Sequence, residues 1–457
     1  MMKLEVIILA AGQGTRMKSS LPKVLHQLAG RSLLEHVIAT SLSLQPVAVH
    51  VVIGHGAELV QQELADFPVN WVFQHEQLGT GHGVLQAVPA LAPDSTVLVL
   101  YGDVPLVGVE TLAALVAAAA AGPALLTARV ADPTGYGRIL RDSTGALVGV
   151  VEHKDATDEQ RRISEINTGL LAAPAGDLMD YLPQVGNNNK QGEYYLPDIL
   201  SLAVARGRTV ASCQAASEIE VLGVNDRVQL NQLEREYQRR QAEALMREGV
   251  AVADINRLDI RGTLSCGRDV SIDVNVVFEG RVSLGDGVVI GPNCVLQDVT
   301  VAAGATIHAM SHLQEARIGE RCSVGPFARL RPGTVLAEGA RVGNFVETKK
   351  ADIGVGSKVN HLSYIGDCVM GDHVNVGAGT ITCNYDGVNK HKTEIGSGVF
   401  VGSNSTLVAP LQIAEQGFIA AGSTITRGVE AGELAVSRSR QRNIQGWQRP
   451  GKPRTED

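Results

Sequence analysis

After Gly249 the chain settles into a period of six, in which an aliphatic residue is followed by a small or acidic one. The first series is Leu284-Gly285, Ile290-Gly291 and Leu296. The second runs Ile318-Gly319, Val324-Gly325, Leu330, Leu336-Ala337 and Val342-Gly343, and the third Ile353-Gly354, Val359 and Ile365-Gly366. The frame slips by one residue to Met370-Gly371 and resumes at Val376-Gly377. It then continues through Ile395-Gly396, Val401-Gly402, Leu407, Ile413-Ala414, Ile419-Ala420 and Ile425. A short period sustained this long is a repeat signature. Its physical reading is a parallel β-solenoid: each repeat is one short strand and a turn, with the aliphatic residue filling a narrow axis. Strand hydrogen bonds join each coil to the next. Residues 308–316 and 382–394 break the period. The second stretch is polar (TCNYDGVNKHKTE) and is expected to be a loop thrown out from the solenoid, the kind of segment that carries function on a rigid scaffold.

The front of the chain is built differently. The 457 residues exceed one ordinary core, and the 50 glycines concentrate in the second half. Residues 1–226 alternate short apolar runs with helical stretches, the pattern of an α/β domain around a largely parallel sheet. Strands are expected at 6–10, 49–53, 97–100 and 125–130, and helices at 33–41 and 112–120. Residues 227–248, charged and free of Gly and Pro, read as a connecting helix. The solenoid then spans 249–437. A basic, Pro-containing tail over 438–457 is expected to be partly disordered, with Arg438 itself ordered.

A net charge of −8 argues against a nucleic-acid surface, which needs clustered Lys and Arg. The six cysteines (213, 266, 294, 322, 368 and 383) include no C-x-x-C pair and no zinc spacing, so they read as reduced, packed thiols. Met1-Met2-Lys3 and the apolar run to Ala11 resemble a signal peptide, but Glu5 interrupts the run and a glycine loop follows at once. No stretch reaches transmembrane length. A cytoplasmic enzyme without membrane or nucleic-acid partners is expected.

The loop Leu9-Ala10-Ala11-Gly12-Gln13-Gly14-Thr15-Arg16-Met17 follows the first strand, with Pro22-Lys23 close behind. Gly12 and Gly14 let backbone N–H groups approach phosphates, and Arg16 and Lys23 add mobile positive charge. A dinucleotide fingerprint would want Gly where Met17 stands, and no Gly-Lys-Ser/Thr follows. The stretch resembles the signature of sugar-phosphate nucleotidyltransferases, and further matches follow. They are Gln74 with Gly79-Thr80, Tyr101-Gly102-Asp103, Gly135-Tyr136-Gly137-Arg138, Val151-Glu152, Ile166-Asn167-Thr168-Gly169, Gly192-Glu193-Tyr194-Tyr195-Leu196 and Gly223-Val224-Asn225-Asp226. The resemblance implies a Rossmann-like fold in which a sugar 1-phosphate oxygen attacks the α-phosphorus of UTP and pyrophosphate leaves. It implies that Leu9, Ala10, Ala11, Gly12, Gly14, Lys23, Tyr101, Gly102 and Asp103 hold the nucleotide, and that Gln74, Gly79 and Thr80 read uracil. Gly137, Glu152, Asn167 and Asn225 would hold the sugar phosphate, with Arg16 and Lys23 neutralising charge. Asp103 lies just past an apolar strand, where α/β sheets place ligands. With Asn225 it offers one carboxylate and one amide oxygen, a set that suits Mg²⁺ shared with substrate phosphates.

In the solenoid the informative segments are Gly325-Pro326-Phe327-Ala328-Arg329-Leu330-Arg331-Pro332-Gly333, Gly343-Asn344-Phe345-Val346-Glu347 with Lys349-Lys350, and His361-Leu362-Ser363-Tyr364. Asn375-Val376-Gly377-Ala378-Gly379-Thr380 and Cys383-Asn384-Tyr385-Asp386-Gly387 complete them. Almost the whole chain, the tail after Arg438 excepted, resembles the bifunctional bacterial N-acetylglucosamine-1-phosphate uridylyltransferase / glucosamine-1-phosphate N-acetyltransferase family. That resemblance implies a left-handed β-helix, against the usual crossover hand, a homotrimer, and acetyl-CoA as co-substrate. It also implies a product that feeds peptidoglycan and lipopolysaccharide precursors. His361 would be the general base, since amine attack on a thioester needs a group that accepts a proton near neutrality. Arg331 and Lys349 lie eighteen residues apart, about one solenoid turn, and so stack on one face as a phosphate clamp, with Tyr364, Asn375 and Lys390 nearby. Ala378, Asn384, Tyr385, Ser403, Ala421 and Arg438 resemble the acetyl-CoA contacts. The rival reading, a single-activity pyrophosphorylase whose solenoid only assembles it, leaves His361, the Arg331/Lys349 pair and the 382–394 loop without a purpose.

Overall fold

A computed structural model describes residues 3–451. The chain divides into two compact units between Gln241 and Ala242, a point inside the helix Arg227–Arg247. Residues 452–457 of the expected tail, like Met1 and Met2, lie outside the described residues.

In the first unit seven strands stand in the order Ala211–Gln214, Ala124–Arg129, Glu165–Pro174, Ser95–Tyr101, Lys3–Leu9, Ala48–Ile53, Asn70–Phe73. The hairpin Arg138–Arg141 / Leu147–Val151 joins them. Neighbours in the row are parallel, except that Glu165–Pro174 runs against both of its own. Val6 and Ile8 pack on one face with Val49, Val51, Leu98 and Leu100, while Ile7 packs on the other with Val52, Val97 and Val99. Burial on both faces is why these strands read as unbroken apolar runs rather than alternating ones. The chain leaves Lys3–Leu9 for the Ala48–Ile53 flank and later returns to the Ser95–Tyr101 flank. Strand order therefore reverses at the carboxyl end of Lys3–Leu9, which is where such sheets open a crevice. The helix Leu33–Ser43 starts on a serine N-cap: the Glu35 N–H donates to Ser32 Oγ at 3.1 Å.

The second unit is a parallel β-helix. One sheet has eleven strands and the other fifteen, and every pairing is parallel. Most partners lie 17 or 18 residues apart, as in Val277↔Val295, Val295↔His312, His312↔Arg329 and Arg329↔Glu347. The aliphatic residues of the six-residue period fill the axis: Leu296, Leu313, Leu330, Ile365, Leu407 and Ile425 are all buried. Thr348 and Thr382 interrupt this ladder and are buried too. Their hydroxyls are partnered, Thr348 with Thr334 Oγ1 at 3.0 Å and Thr382 by the Gly366 N–H at 2.8 Å, as burial of a polar group requires.

At residues 308–316 the break in the period is a slip of one residue within the solenoid, not a departure from it. They stay in the solenoid: the strand His312–Gln314 pairs with Val295–Gln297 and with Arg329–Leu330, and Leu313 points into the axis. The interval between inward residues shortens to five, from Leu313 to Ile318, and that slip is what obscured the period. The second break is a true excursion, narrower than 382–394. Ile381–Cys383 and Thr393–Ile395 are strands, and Ile381 pairs with Thr406, 25 residues on. From 438 to 451 the chain forms no strand and is exposed. Among the described residues no helix is long and apolar enough to cross a membrane.

Candidate active sites

The crevice at the strand reversal holds a cavity of about 320 Å³. Leu9, Ala10, Ala11, Gly12, Lys23, Gln74, Gly79, Thr80, Tyr101 and Asp103 line it, together with Glu193, which stood in a quoted motif without a role, and Gln77, which the sequence reading did not single out. Gly14 and Gly102 support it from behind. A β-carbon on Gly14 (φ +61°) would lie 2.6 Å from Lys23 Cβ, so glycine there lets the Lys23 segment close onto the loop. The Gly102 N–H donates to the Leu9 carbonyl at 2.9 Å. Gly79 (φ +113°) packs so tightly that a β-carbon would lie 2.7 Å from the Tyr194 carbonyl oxygen. This contact joins the 74–80 wall to the 193–196 segment, where the Leu196 N–H also donates to Thr80 Oγ1 at 3.0 Å. Gln74 Nε2 donates to the Gly79 carbonyl at 3.2 Å and sits 3.1 Å from His82 Nδ1, another residue the sequence reading missed. Burial pushes the Tyr101 phenol well above its ordinary range, against an opposing hydrogen bond from Thr80.

Lys23 Nζ forms an ion pair with Asp103 Oδ2, and both side chains are mostly buried. Arg16 stands outside the cavity lining and donates from Nη2 to Asn225 Oδ1 at 2.8 Å. The Val224 N–H donates to the Asp103 carbonyl at 2.9 Å, so Asn225 is tied to Asp103 through one residue. The two expected metal ligands are thus neighbours, each already facing a cation of the glycine loop. Two hard oxygen donors suit Mg²⁺ when phosphates supply the rest. No cluster of three or more His, Cys, Asp and Glu with metal-ligand geometry occurs among the described residues, so no all-protein cage competes with that arrangement.

Gly137, Glu152 and Asn167 come together at one edge. The hairpin pairs Arg138 with Val151 and so sets Gly137 beside Glu152. The Asn167 N–H donates to the Gly137 carbonyl at 2.9 Å. Asn167 lies where the Glu165–Pro174 strand shifts register against Ala124–Arg129, an irregularity that re-aims its side chain. Its Oδ1 accepts from the Gly169 N–H at 2.9 Å. Glu152 also lines a neighbouring hollow of about 380 Å³ with Asp155, Tyr195 and Asp198. Burial, then the charges of Asp198 and Asp155, raise its carboxyl above the ordinary range. Asn225, grouped from sequence with both the sugar contacts and the metal, accepts from Arg16.

In the solenoid, Arg331, Lys349 and Lys390 converge. The adjacent Lys390 ammonium holds the Lys349 ammonium below the ordinary lysine range, and desolvation and the Arg331 charge add to the effect. Arg331 Nη1 donates to Glu347 Oε1 at 2.9 Å, and Glu347 stands opposite Tyr364 on the next coil. Lys390 reaches Lys349 from the excursion, which bonds to itself. Asp386 Oδ1 accepts the N–H groups of Val388 and Asn389, its Oδ2 meets His391 Nε2 at 2.7 Å, and Tyr385 bridges to Lys390. Asn384, at the base of the loop, donates to Asp367 Oδ2 at 2.5 Å. His361 is exposed at the end of its strand, with Nδ1 2.8 Å from Asn344 Oδ1. Asn375 lies on the eleven-stranded sheet, paired with Lys358, whereas Lys349 and Tyr364 lie on the other. Ala378, Ser403 and Ala421 form one column at a turn: the Asn404 N–H donates to Ala378 O at 2.7 Å and the Gly422 N–H to Ser403 O at 2.8 Å. Arg438 closes that column by donating to Ala421 O at 2.6 Å.

Known proteins agree with both halves. A MobA-like NTP transferase domain matches residues 6–165, and a GMPPB C-terminal domain matches residues 260–352. Bifunctional protein GlmU of Marinobacter nauticus is 59% identical over 453 residues, covering 99% of this chain and 100% of that protein. Bifunctional protein GlmU of Alkalilimnicola ehrlichii is 60% identical, covering 98% and 97%. A nucleotidyl transferase of Methanothermobacter with a solved structure covers 52% of this chain and 99% of its own at 23% identity and a TM-score of 0.38, too slight a likeness to carry an argument. With near-60% identity running the full length of both partners, this chain belongs to the bifunctional GlmU family.

Proposed function

We propose that the chain makes UDP-N-acetylglucosamine in two reactions at two sites. In the solenoid, Arg331, Lys349 and Lys390 hold the phosphate of glucosamine 1-phosphate, with Tyr364 and Asn375 beside it. The Ala378/Ser403/Ala421 column, Asn384, Tyr385 and Arg438 seat acetyl-CoA. His361 takes a proton from the sugar amine as its nitrogen bonds to the thioester carbonyl carbon. Collapse of that adduct breaks the C–S bond and releases CoA.

In the first unit the phosphate oxygen of N-acetylglucosamine 1-phosphate attacks the α-phosphorus of UTP in line, and the bond to pyrophosphate breaks. Nothing covalent is asked of the protein; it positions the groups and neutralises charge. The Gly12–Gly14 loop, Arg16 and Lys23 face the triphosphate. Gln74, Gly79 and Thr80 read the base, and Gly137, Glu152 and Asn167 hold the sugar. Asp103 and Asn225 would hold Mg²⁺, which supplies positive charge to the phosphates.

The observation that carries the two-site reading is that Arg331 and Lys349 stand on successive coils of one sheet, where Arg329 pairs with Glu347 and the Arg331 N–H donates to the Thr348 carbonyl at 2.9 Å, with Lys390 on the excursion that leaves the same sheet after Cys383. Three cations gathered in this way, with the Lys349 ammonium held low by Lys390, are an arrangement that an oligomerisation module does not call for and a phosphate relieves. We further propose a homotrimer assembled through the solenoid and a cytoplasmic setting, which the six free cysteines suit. CoA release from acetyl-CoA with glucosamine 1-phosphate tests the acetyl-transfer site. Substrate-dependent thiol is expected, and its absence would leave only a pyrophosphorylase. Light scattering tests the assembly, with three times the chain mass expected.

A further inference from the structure

We infer that Asn344 is the positioning residue for His361, holding the ring in the tautomer that leaves Nε2 free to take the proton of the attacking amine. The inference rests on the reading of His361 as the base. Asn344 and His361 each end a strand on adjacent coils of the eleven-stranded sheet, and they stand directly opposite in register. Asn344 Oδ1 is 2.8 Å from His361 Nδ1. Backbone bonds fix both partners: the Leu362 N–H donates to Asn344 O at 3.1 Å, and His361 O accepts from the Gly379 N–H at 3.4 Å and from Ser363 Oγ at 2.8 Å. Phe345 and Leu362, each next in the chain, take left-handed conformations (φ 56° and 48°), so both strands end in the same corner and aim their last side chains alike.

An amide oxygen only accepts, so Nδ1 carries the hydrogen. A neutral imidazole has one N–H, and Nε2 is then a bare acceptor. The carboxylates on the adjoining sheet have other partners, Glu347 in Arg331 and Asp367 in Asn384. Without Asn344 the ring is free to turn and to populate the Nε2–H tautomer, which cannot accept a proton at that edge. Turned over, the amide would donate to Nδ1 and impose that same idle tautomer. Aspartate at 344 separates the two cases, because a carboxylate only accepts.

The test is acetyl transfer by the full-length protein together with ¹⁵N NMR of the His361 ring at a pH where the ring is neutral. Asn344→Leu is expected to lose about 10- to 100-fold in kcat, with KM for both substrates within about threefold. Asn344→Asp is expected to keep kcat within about threefold. The ring should carry its hydrogen on Nδ1 in the wild type and in Asn344→Asp, and a mixture of tautomers in Asn344→Leu. Full kcat in Asn344→Leu, equal loss in Asn344→Asp, or Nε2–H in the wild type would each overturn the inference; the wild-type spectrum stands even if a variant fails to fold. Acetyl transfer that survives in His361→Ala would instead overturn the reading of His361 as the base.

Discussion

Gly79 shows how tightly a single position can be constrained. Its φ of +113° and the Tyr194 backbone at 2.7 Å leave no place for a β-carbon. Gly79→Ala is therefore expected to cost about 1–3 kcal/mol of stability in the first unit and to raise KM for UTP, readable by denaturant unfolding and pyrophosphate release. Glu165 makes a different residue-scale case. Arg141 grips its carboxylate with two bonds, Nη2 to Oε1 at 2.6 Å and Nε to Oε2 at 3.0 Å, and this pair holds its carboxyl below the ordinary range. A depressed carboxyl contributes stability above its unfolded value of about 4.3 and loses it as pH falls through the native one. Glu165→Gln should cost about 1–3 kcal/mol at neutral pH, and the gap to wild type should close in acid unfolding titrations. Some site residues were legible singly and others only as pairs. Lys23 and Asp103 each sat in a readable motif, but their ion pair spans 80 positions and had no local signal. Asn344 lay in a quoted segment without a role, because its partner is one coil away.

Among the elements, the excursion between Ile381–Cys383 and Thr393–Ile395 matters most to the chemistry. Its shape hangs on Asp386, whose carboxyl the Asn389 N–H, His391 and the Val388 N–H hold far below the ordinary range. Asp386→Ala should let Lys390 drift from Lys349 and raise KM for glucosamine 1-phosphate about tenfold, leaving pyrophosphate release intact in the same preparation. The mostly polar composition of this loop marked it from sequence, because the nine residues 384–392 offer a six-residue ladder only one aliphatic side chain, Val388. The other break in the period, 308–316, is of a different kind: there the ladder loses one residue without leaving the solenoid, and Leu313 still fills the axis. The parallel strands of the first unit were legible because burial on both faces makes them continuous apolar runs. The register shift near Asn167 was not, since it depends on the pairing of Glu165–Pro174 with a strand forty residues earlier.

For the whole molecule, the central claim is that one chain carries two chemistries whose machinery does not overlap. Lys23, Asp103 and Asn225 belong to the first unit; Arg331, Lys349, His361 and Lys390 belong to the second. Each unit has a core of its own, aliphatic around a twisted sheet in one and along a solenoid axis in the other. The most direct measurement is a crossed assay on Asp103→Asn and His361→Ala. It follows pyrophosphate release from UTP with N-acetylglucosamine 1-phosphate, and CoA release from acetyl-CoA with glucosamine 1-phosphate. The account predicts that Asp103→Asn loses pyrophosphate release by about 100-fold or more and keeps CoA release, while His361→Ala does the reverse. Loss of both activities in either folded variant, or CoA release that survives in His361→Ala, would contradict it.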